Sequence, residues 1–520
     1  MDKLVSNVIR DSTPKGHAEP ARESVRSVNA GASIDRRRFL QASGTGLLGL
    51  GATGLCPTSS VQADTAASPM SPTFGRAKSV VILYLYGAPS QMDTLDPKPD
   101  APLERRGEFK TISTSLPGIA ACELLPNIAR NLHRVALVRS MTHTSNNHAV
   151  SVALSALSKS EPAFEGNRND PRRQPYIGSA LEYLWKQQGI SMTASGIPVN
   201  MVLPWALNGK TDPGRWQPDA AWLGMAYNPV IPQFAGGGSL EVGSPSIKGA
   251  TPILTRFDPW DGVTSETTFR VEGAELRDGK TLADFAGRRA LLESVDSRRG
   301  DFGAPGKGFD QYRDLAFAMI ANPKVAHALD VTREPDRIRD RYGRTLFGQS
   351  ALTARRLIES GVKMITVFWD TWTDNNAAWD THHNHHPRLK DGLCPKLDQI
   401  LPAFLDDMQQ RGLLDETLVM VISEHGRTPT IANSPGGGRE HWAGAYWGMF
   451  FGAGIKTGQV IGATDNQGGY PVSCPTDPKD ILATMYHLLG FDPHQTTIPD
   501  RLGRPEHLIP HGDVVHRLLL

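Results

Sequence analysis

The chain is expected to be an α/β protein with a parallel-rich central sheet flanked by helices on both faces, a three-layer sandwich. Three features of the sequence predict this. Ser79–Tyr86 and Thr417–Ile422 are continuous apolar runs of strand length, as strands buried on both faces require. Between 348 and 422 helical and strand-like patterns alternate, which is the order of parallel strands joined by crossover helices. Finally, ionisable residues gather just beyond the strand-like runs, where open α/β sheets hold their ligands.

The 520 residues suffice for a large core, and a net charge of +1 gives no electrostatic reason to expect nucleic acid. The four cysteines, at 56, 122, 394 and 474, are too widely spaced for a zinc ribbon or a CxxC motif. At the N-terminus, Arg36-Arg37-Arg38-Phe39-Leu40 precedes a glycine-rich, weakly apolar segment, and Val61-Gln62-Ala63 offers small residues for cleavage. This resembles a twin-arginine export signal. The segment is too short and too glycine-rich for a stable membrane span. The expected organisation is a signal peptide and leader over 1–63, a linker over 64–78, and a single α/β domain over 79–520 with a Pro/Gly/Trp-rich insertion around 161–344. The expected setting is periplasmic or cell-surface, with the twin-arginine translocase as a partner during export.

In chain order, the first strand closes on Gly87-Ala88-Pro89 and is followed by Asp93, a carboxylate suited to a cation or to turn chemistry. A short strand over 135–138 leads into His143-Thr144-Ser145-Asn146-Asn147-His148 ahead of a helical stretch over 149–157. Thr144 or Ser145 at that helix start is an N-cap or, beside a cation, a nucleophile. Trp205, Trp216, Trp222 and Trp260 fall in loop-like surroundings, as cleft-lining or as packed residues. A helix over 348–360 stops at Gly361, and the strand-like run 362–369 then feeds Trp379-Asp380-Thr381-His382-His383-Asn384-His385-His386, the densest run of ligand-type side chains in the chain. Imidazole and carboxylate are the donors that borderline divalent cations select, although a histidine tract in a polar loop can also be merely solvated. Leu397, Ile400, Leu401, Phe404, Leu405 and Met408 mark one helix face. Past the strand 417–422 stand Glu424 and His425, and Gly438-Arg439-Glu440-His441 adds another histidine and an arginine able to grip an anion.

Gly87-Ala88-Pro89-Ser90-Gln91-Met92-Asp93, Arg139-Ser140-Met141-Thr142-His143, Trp379-Asp380-Thr381-His382, Ser423-Glu424-His425-Gly426-Arg427 and Gly438-Arg439-Glu440-His441-Trp442 occur in this order. Together they resemble the alkaline phosphatase and sulfatase superfamily, and within it a Tat-exported family of unknown function, number fifteen hundred and one. The resemblance covers nearly all of the expected mature chain. It implies an alkaline-phosphatase-like fold holding one or two divalent ions, zinc first and magnesium, manganese or calcium as alternatives. Its implied ligands are Asp93, Asp380, His382, Glu424, His425 and His441.

Thr144, or Ser145 in another register, would be the nucleophile, with His143 and His148 as proton donors or further ligands and Arg439 and Arg427 binding the anionic group. The implied activity is hydrolysis of an anionic ester, phosphate before sulfate, of which a sulfated or phosphorylated glycan is one form. The alternative is a non-catalytic exported metal- or ligand-binding protein that keeps the fold. Glu at 424 and the two-residue spacing of Asp380 and His382 depart from the usual pattern, and no Cys-x-Pro-x-Arg motif is present for a formylglycine sulfatase.

Overall fold

A computed structural model describes residues 71–148, 150–155, 166–167, 169–210, 215–241, 257–272, 279, 281–296, 313–314, 316–372 and 378–520. All of them belong to one compact unit, Leu55–Leu520. The expected signal peptide and the start of the linker lie outside the described residues. From Ser71 the chain is already packed: Thr73 Oγ1 lies 3.2 Å from His487 Nε2 and the Phe74 ring meets His487 edge-on.

The centre is a seven-stranded sheet. Its strands are β1 (Ser79–Leu85), β2 (Ala136–Met141), β3 (Asn200–Leu203), β4 (Met364–Trp369), β5 (Thr417–Ile422), β8 (Tyr446–Gly452) and β9 (Gln459–Ile461), in the order β9-β2-β8-β5-β1-β4-β3. The numbers β6 and β7 belong to a ribbon outside this sheet, Gly426–Arg427 paired with His441–Trp442. β1 is central and lies parallel to both β4 and β5. Its side chains alternate between the two faces. Val81, Leu83 and Leu85 join the core on one side, with Phe347, Leu357 and Phe404, while Val80, Ile82 and Tyr84 join the other, with Leu181, Leu482 and Met485. Burial on both faces explains why β1 reads as an unbroken apolar run. Each such Val, Leu or Ile contributes about 1.5–3 kcal/mol of burial free energy.

The flanking helices form where the sequence permits. Helix α3 (Leu346–Ser360) starts at Thr345, whose hydroxyl accepts the Gly348 amide at 3.2 Å, and stops at Gly361 with φ +106°. α4 (Cys394–Gln410) packs with α3 on one face. α2 (Ile177–Gln187) and α5 (Pro478–Leu488) cover the other. α5 opens with a capping box between Asp477 and Asp480. A short helix, α1 (Val150–Leu154), follows the 142–148 loop.

Two features differ from expectation. The 161–344 stretch is more than an insertion, because β3 within it pairs with β4 and forms a sheet edge. Trp205, Trp216 and Trp260 from this stretch are buried packing residues, and Trp222 is half-buried with its Nε1 on the Pro499 carbonyl. In addition, β8 runs antiparallel to β5 and β2. Only the loop and ribbon of 423–445 join β5 to β8, without the crossover helix that a parallel return needs.

This topology decides where chemistry can occur. β1, β4 and β5 are adjacent and parallel, so Gly87, the chain after Trp369, and Glu424 with His425 emerge at one rim. β2 ends at the same rim and β8 begins there, which brings in the 142–148 loop and His441.

Candidate functional site

Two glycines let backbones approach closely enough to build the rim. Gly87 has φ +91°, and a Cβ there would fall 2.2 Å from the Asp380 amide nitrogen. Its own amide donates to Glu424 Oε1 at 2.8 Å. A Cβ on Gly438 would meet the His382 carbonyl at 1.9 Å. Both positions exclude any side chain.

Four imidazoles converge here with the same orientation. His148 Nδ1 lies 2.7 Å from Glu424 Oε1, His382 Nδ1 2.6 Å from Glu440 Oε2, His425 Nδ1 2.8 Å from the Gly426 carbonyl, and His441 Nδ1 2.9 Å from the Asn146 carbonyl. Each Nδ1 faces an acceptor, which assigns it the proton; on His382, His425 and His441 this leaves the Nε2 lone pair directed inward, whereas His148 Nε2 pairs with Asp380 Oδ2 at 3.3 Å. His382 Nε2 and His441 Nε2 are 3.0 Å apart, and Asp380 Oδ1 stands 2.9 and 3.2 Å from them. Three acceptors at these separations repel one another unless a cation or proton lies among them. His425 Nε2 and Glu424 Oε2 are buried without any hydrogen-bond partner. Ligand atoms of His148, His425 and His441 fall within 4.8 Å of one another, as do those of Asp380, His382 and His441.

A divalent cation fits this donor set. Metal-bound histidines characteristically present one nitrogen to the ion and anchor the other on a carboxylate or carbonyl. Asp380, His382 and His441 are partly open, whereas His148, Glu424 and His425 form a buried floor. Burial opposes charge on His148, yet Asp380 and Glu424 on either side raise it to about 9. Burial and the neighbouring His148, Arg427 and His441 hold His425 well below its ordinary value. Burial alone would raise Asp380, but Arg427 and His148 keep it well below the carboxylate range.

Asp93 is placed elsewhere. The histidine run divides, with His382 joining the open cluster while His385 and His386 turn toward Asp93. The Asp93 carboxylate is fully buried and bonded to Ser90 Oγ at 2.5 Å, His385 Nε2 at 2.9 Å and Arg439 Nε at 2.6 Å. Burial opposes ionisation, but Arg439 and His385 hold Asp93 far below the usual range. Asp93 therefore does not meet Glu424 and His425 as the resemblance implies. Arg439 is spent as well: besides Asp93, it donates to the Thr428, Pro429 and Arg105 carbonyls and is 1 % exposed. Arg427, 0 % exposed, donates to the carbonyls of Gly87, Ala88 and Arg439 and to Asp380. Both arginines are buried and hold backbone in place, Arg439 with all five donors bonded and Arg427 with four of its five.

The 142–148 loop is pinned over the cluster. His143 Nε2 lies 2.6 Å from the Glu424 carbonyl and its Nδ1 accepts the Ser145 amide at 3.1 Å, so this ring is a brace. Asn146 Oδ1 accepts the Ala443 amide at 2.7 Å. Thr144 is exposed and Ser145 half-buried between these anchors. Reading the sequence did not find Glu440 as the partner of His382, or His385 as the partner of Asp93. Glu440 stands beside His441 in the sequence, and that adjacency was the available signal.

A family profile described as "Protein of unknown function (DUF1501)" matches residues 77–519. No curated protein matches the chain. Among solved structures, the chain is similar to the PsFucS1 sulfatase from Pseudoalteromonas sp., at 11% identity and TM-score 0.34, covering 80% of this chain and 68% of that one. It is also similar to a protein in the alkaline phosphatase superfamily from Vibrio parahaemolyticus, at 12% identity and TM-score 0.35, covering 83% and 72%. A third such structure is Ps i-CgsB, at 10% identity and TM-score 0.35, covering 80% and 72%.

Proposed function

Taking as premise that the chain belongs to the DUF1501 family, we propose that it is an exported, metal-dependent hydrolase of phosphate esters, with sulfate esters as poorer substrates. The observation that supports this best is the set of four imidazoles each anchored through its Nδ1, three of which bring Nε2 to within 2.9–3.3 Å of Asp380. His148, His382, His425, His441 and Asp380 would hold the ion or ions, with Glu424 contributing its unpartnered Oε2. This imidazole-rich set favours zinc over magnesium, manganese or calcium.

A bound divalent ion supplies a Lewis acid that polarises the non-bridging oxygens of the ester. The protein's own contribution is positional. Glu424 and Asp380 orient His148, and Asn146 and Glu440 orient His441 and His382. The exposed Thr144 hydroxyl, with Ser145 as the alternative, is presented on a loop anchored on both sides. With Arg427 and Arg439 committed elsewhere, the anionic group of the ester depends on the cation for its binding. Export by the twin-arginine route is part of the proposal. Among the described residues, no helix is long and apolar enough to cross a membrane.

The test is elemental analysis of protein purified from its export compartment, followed by an aryl phosphate and aryl sulfate screen with that metal present. Turnover abolished by Asp380→Ala and His441→Ala, and lowered at least a hundredfold by Thr144→Ala or Ser145→Ala, supports the reading. Absence of turnover on every ester overturns it. The second reading, a metal-binding protein without turnover, draws support from the burial of both arginines at the cluster, and predicts a stoichiometric ion with no hydrolysis.

A further inference from the structure

A cleft of about 610 Å³ adjoins the histidine cluster, and the two share Glu440, whose carboxylate holds His382 and also lines the cleft. In the two-residue strand β7, successive side chains point to opposite faces. His441 turns to the cluster while Trp442 lines the cleft. Beside it lies Tyr470, its ring in edge-on contact with Trp442 at a centroid distance of 5.3 Å.

Tyr470 is 56% exposed, yet its position is fixed. The Asp465 carboxylate accepts the amides of Gln467, Gly469 and Tyr470 at 2.9, 2.8 and 3.1 Å, which closes the turn that presents the ring. Gln91 Nε2 ties Gly468 to the sheet rim at 3.0 Å, and Trp442 Nε1 donates to the Gly469 carbonyl at 2.7 Å. More than half of this ring faces water, on a turn whose backbone is pinned. It is the low-entropy, amphipathic surface that binding sites use. The rest of the lining is mostly apolar, with Pro429, Ile431 and Ala432, and Glu440, Gln467 and Arg105 are hydrogen-bonding groups set among it.

We propose that this cleft binds a hydroxylated saturated ring, a sugar unit, with its C–H face on Tyr470 and Trp442 and its hydroxyls on Glu440, Gln467 and Arg105. A flat aryl group would use the rings and leave the polar rim unsatisfied. An anionic chain would meet two carboxylates, Glu440 and Asp465, against one cation, Arg105. If the hydrolase reading holds, the sugar is the alcohol part of the ester; binding of the ring itself does not depend on that reading.

The test separates the two. Neutral mono- and disaccharides are titrated into the full protein by calorimetry and tryptophan fluorescence, alongside Tyr470→Ala and Gln467→Ala. At least one saccharide should bind, with affinity lowered about three- to tenfold by Tyr470→Ala, the worth of one aromatic contact. Tyr470 is exposed, so its removal leaves the fold intact, and circular dichroism verifies this. No saccharide binding at millimolar concentration, or binding unchanged in both variants, overturns the inference. Saccharide binding without turnover of any sugar phosphate or sulfate supports the cleft and removes the hydrolase. Where turnover occurs, Gln467→Ala should raise KM for the sugar ester and leave KM for an aryl phosphate unchanged; an equal rise in both overturns the assignment.

Discussion

Asp93 and Arg439 form an ion pair with no exposure on either side chain, Nε lying 2.6 Å from Oδ2 and Nη2 3.2 Å from Oδ1. The pair links two arms of the site. From Asp93, His385 Nε2 leads through its Nδ1 to Thr381 Oγ1 at 2.7 Å, and Thr381 sits between Asp380 and His382. From Arg439, the chain continues through Glu440 to His441, and the Arg439 amide also donates to the Thr381 carbonyl at 3.2 Å. A carboxylate that resembles a metal ligand thus acts as a brace behind the candidate ligands.

Removing one partner strands the other's charge in the core. Asp93→Ala is expected to lower stability by about 3–5 kcal/mol, and the double variant Asp93→Leu with Arg439→Met by clearly less. Urea denaturation of the two proteins checks this. Asp93→Asn should keep the ion-to-chain ratio of the native protein, whereas His441→Ala should lose it.

Groups behind a ligand tune affinity without abolishing it. Glu440→Ala, which frees His382 Nδ1, should weaken metal binding about 10- to 100-fold, as loss of an outer partner does elsewhere. His386→Ala should leave affinity unchanged. Competition against a chromophoric chelator measures both. A chelator should also lower the melting temperature, since an ion at a hundred times its Kd adds about 2.7 kcal/mol.

Gly87 carries a backbone requirement and a contact requirement together. Gly87→Ala must place a methyl 2.2 Å from the Asp380 nitrogen at φ +91°, with an expected cost on the order of 3 kcal/mol or more. Thermal unfolding and metal content should both fall.

Much of this was legible in the chain. Runs such as Thr417–Ile422 announce strands because both faces are buried, and the residues after them lie at the rim because parallel strands end together. Glu424, His425 and Asp380 could be found in this way, while His441, which precedes antiparallel β8, was legible from the Gly438-Arg439-Glu440-His441 run. The division of His382 from His385 and His386 could not, because it depends on a turn at Asn384, whose φ is +49°, and on Arg439 claiming Asp93 from 346 residues away. β3 was missed because four residues, Asn200–Leu203, carry too little periodicity to register.

A lysine far from the cluster gives a pH signature. Lys479 is buried and its Nζ donates to the Val152 and Ser155 carbonyls at 2.8 and 2.7 Å, two contacts that a neutral amine can still make. Burial lowers its pKa to about 7, with Asp477 opposing. Between that value and the unfolded value of about 10.4, the unfolded chain binds the extra proton, so stability rises with pH across this window and is lost as pH falls through about 7. The difference between native protein and Lys479→Met should change by on the order of 4 kcal/mol between pH 7 and 10. Denaturation midpoints at stepped pH measure it.

Asp380 already meets Arg427 and His148, and Asp93 already meets Arg439. Counter-ions supplied by the polypeptide spare these acids the repulsion that would otherwise oppose drawing them together. Assembly of the scaffold and capture of an ion are thereby uncoupled, and the apoprotein is expected to be a folded species that awaits loading.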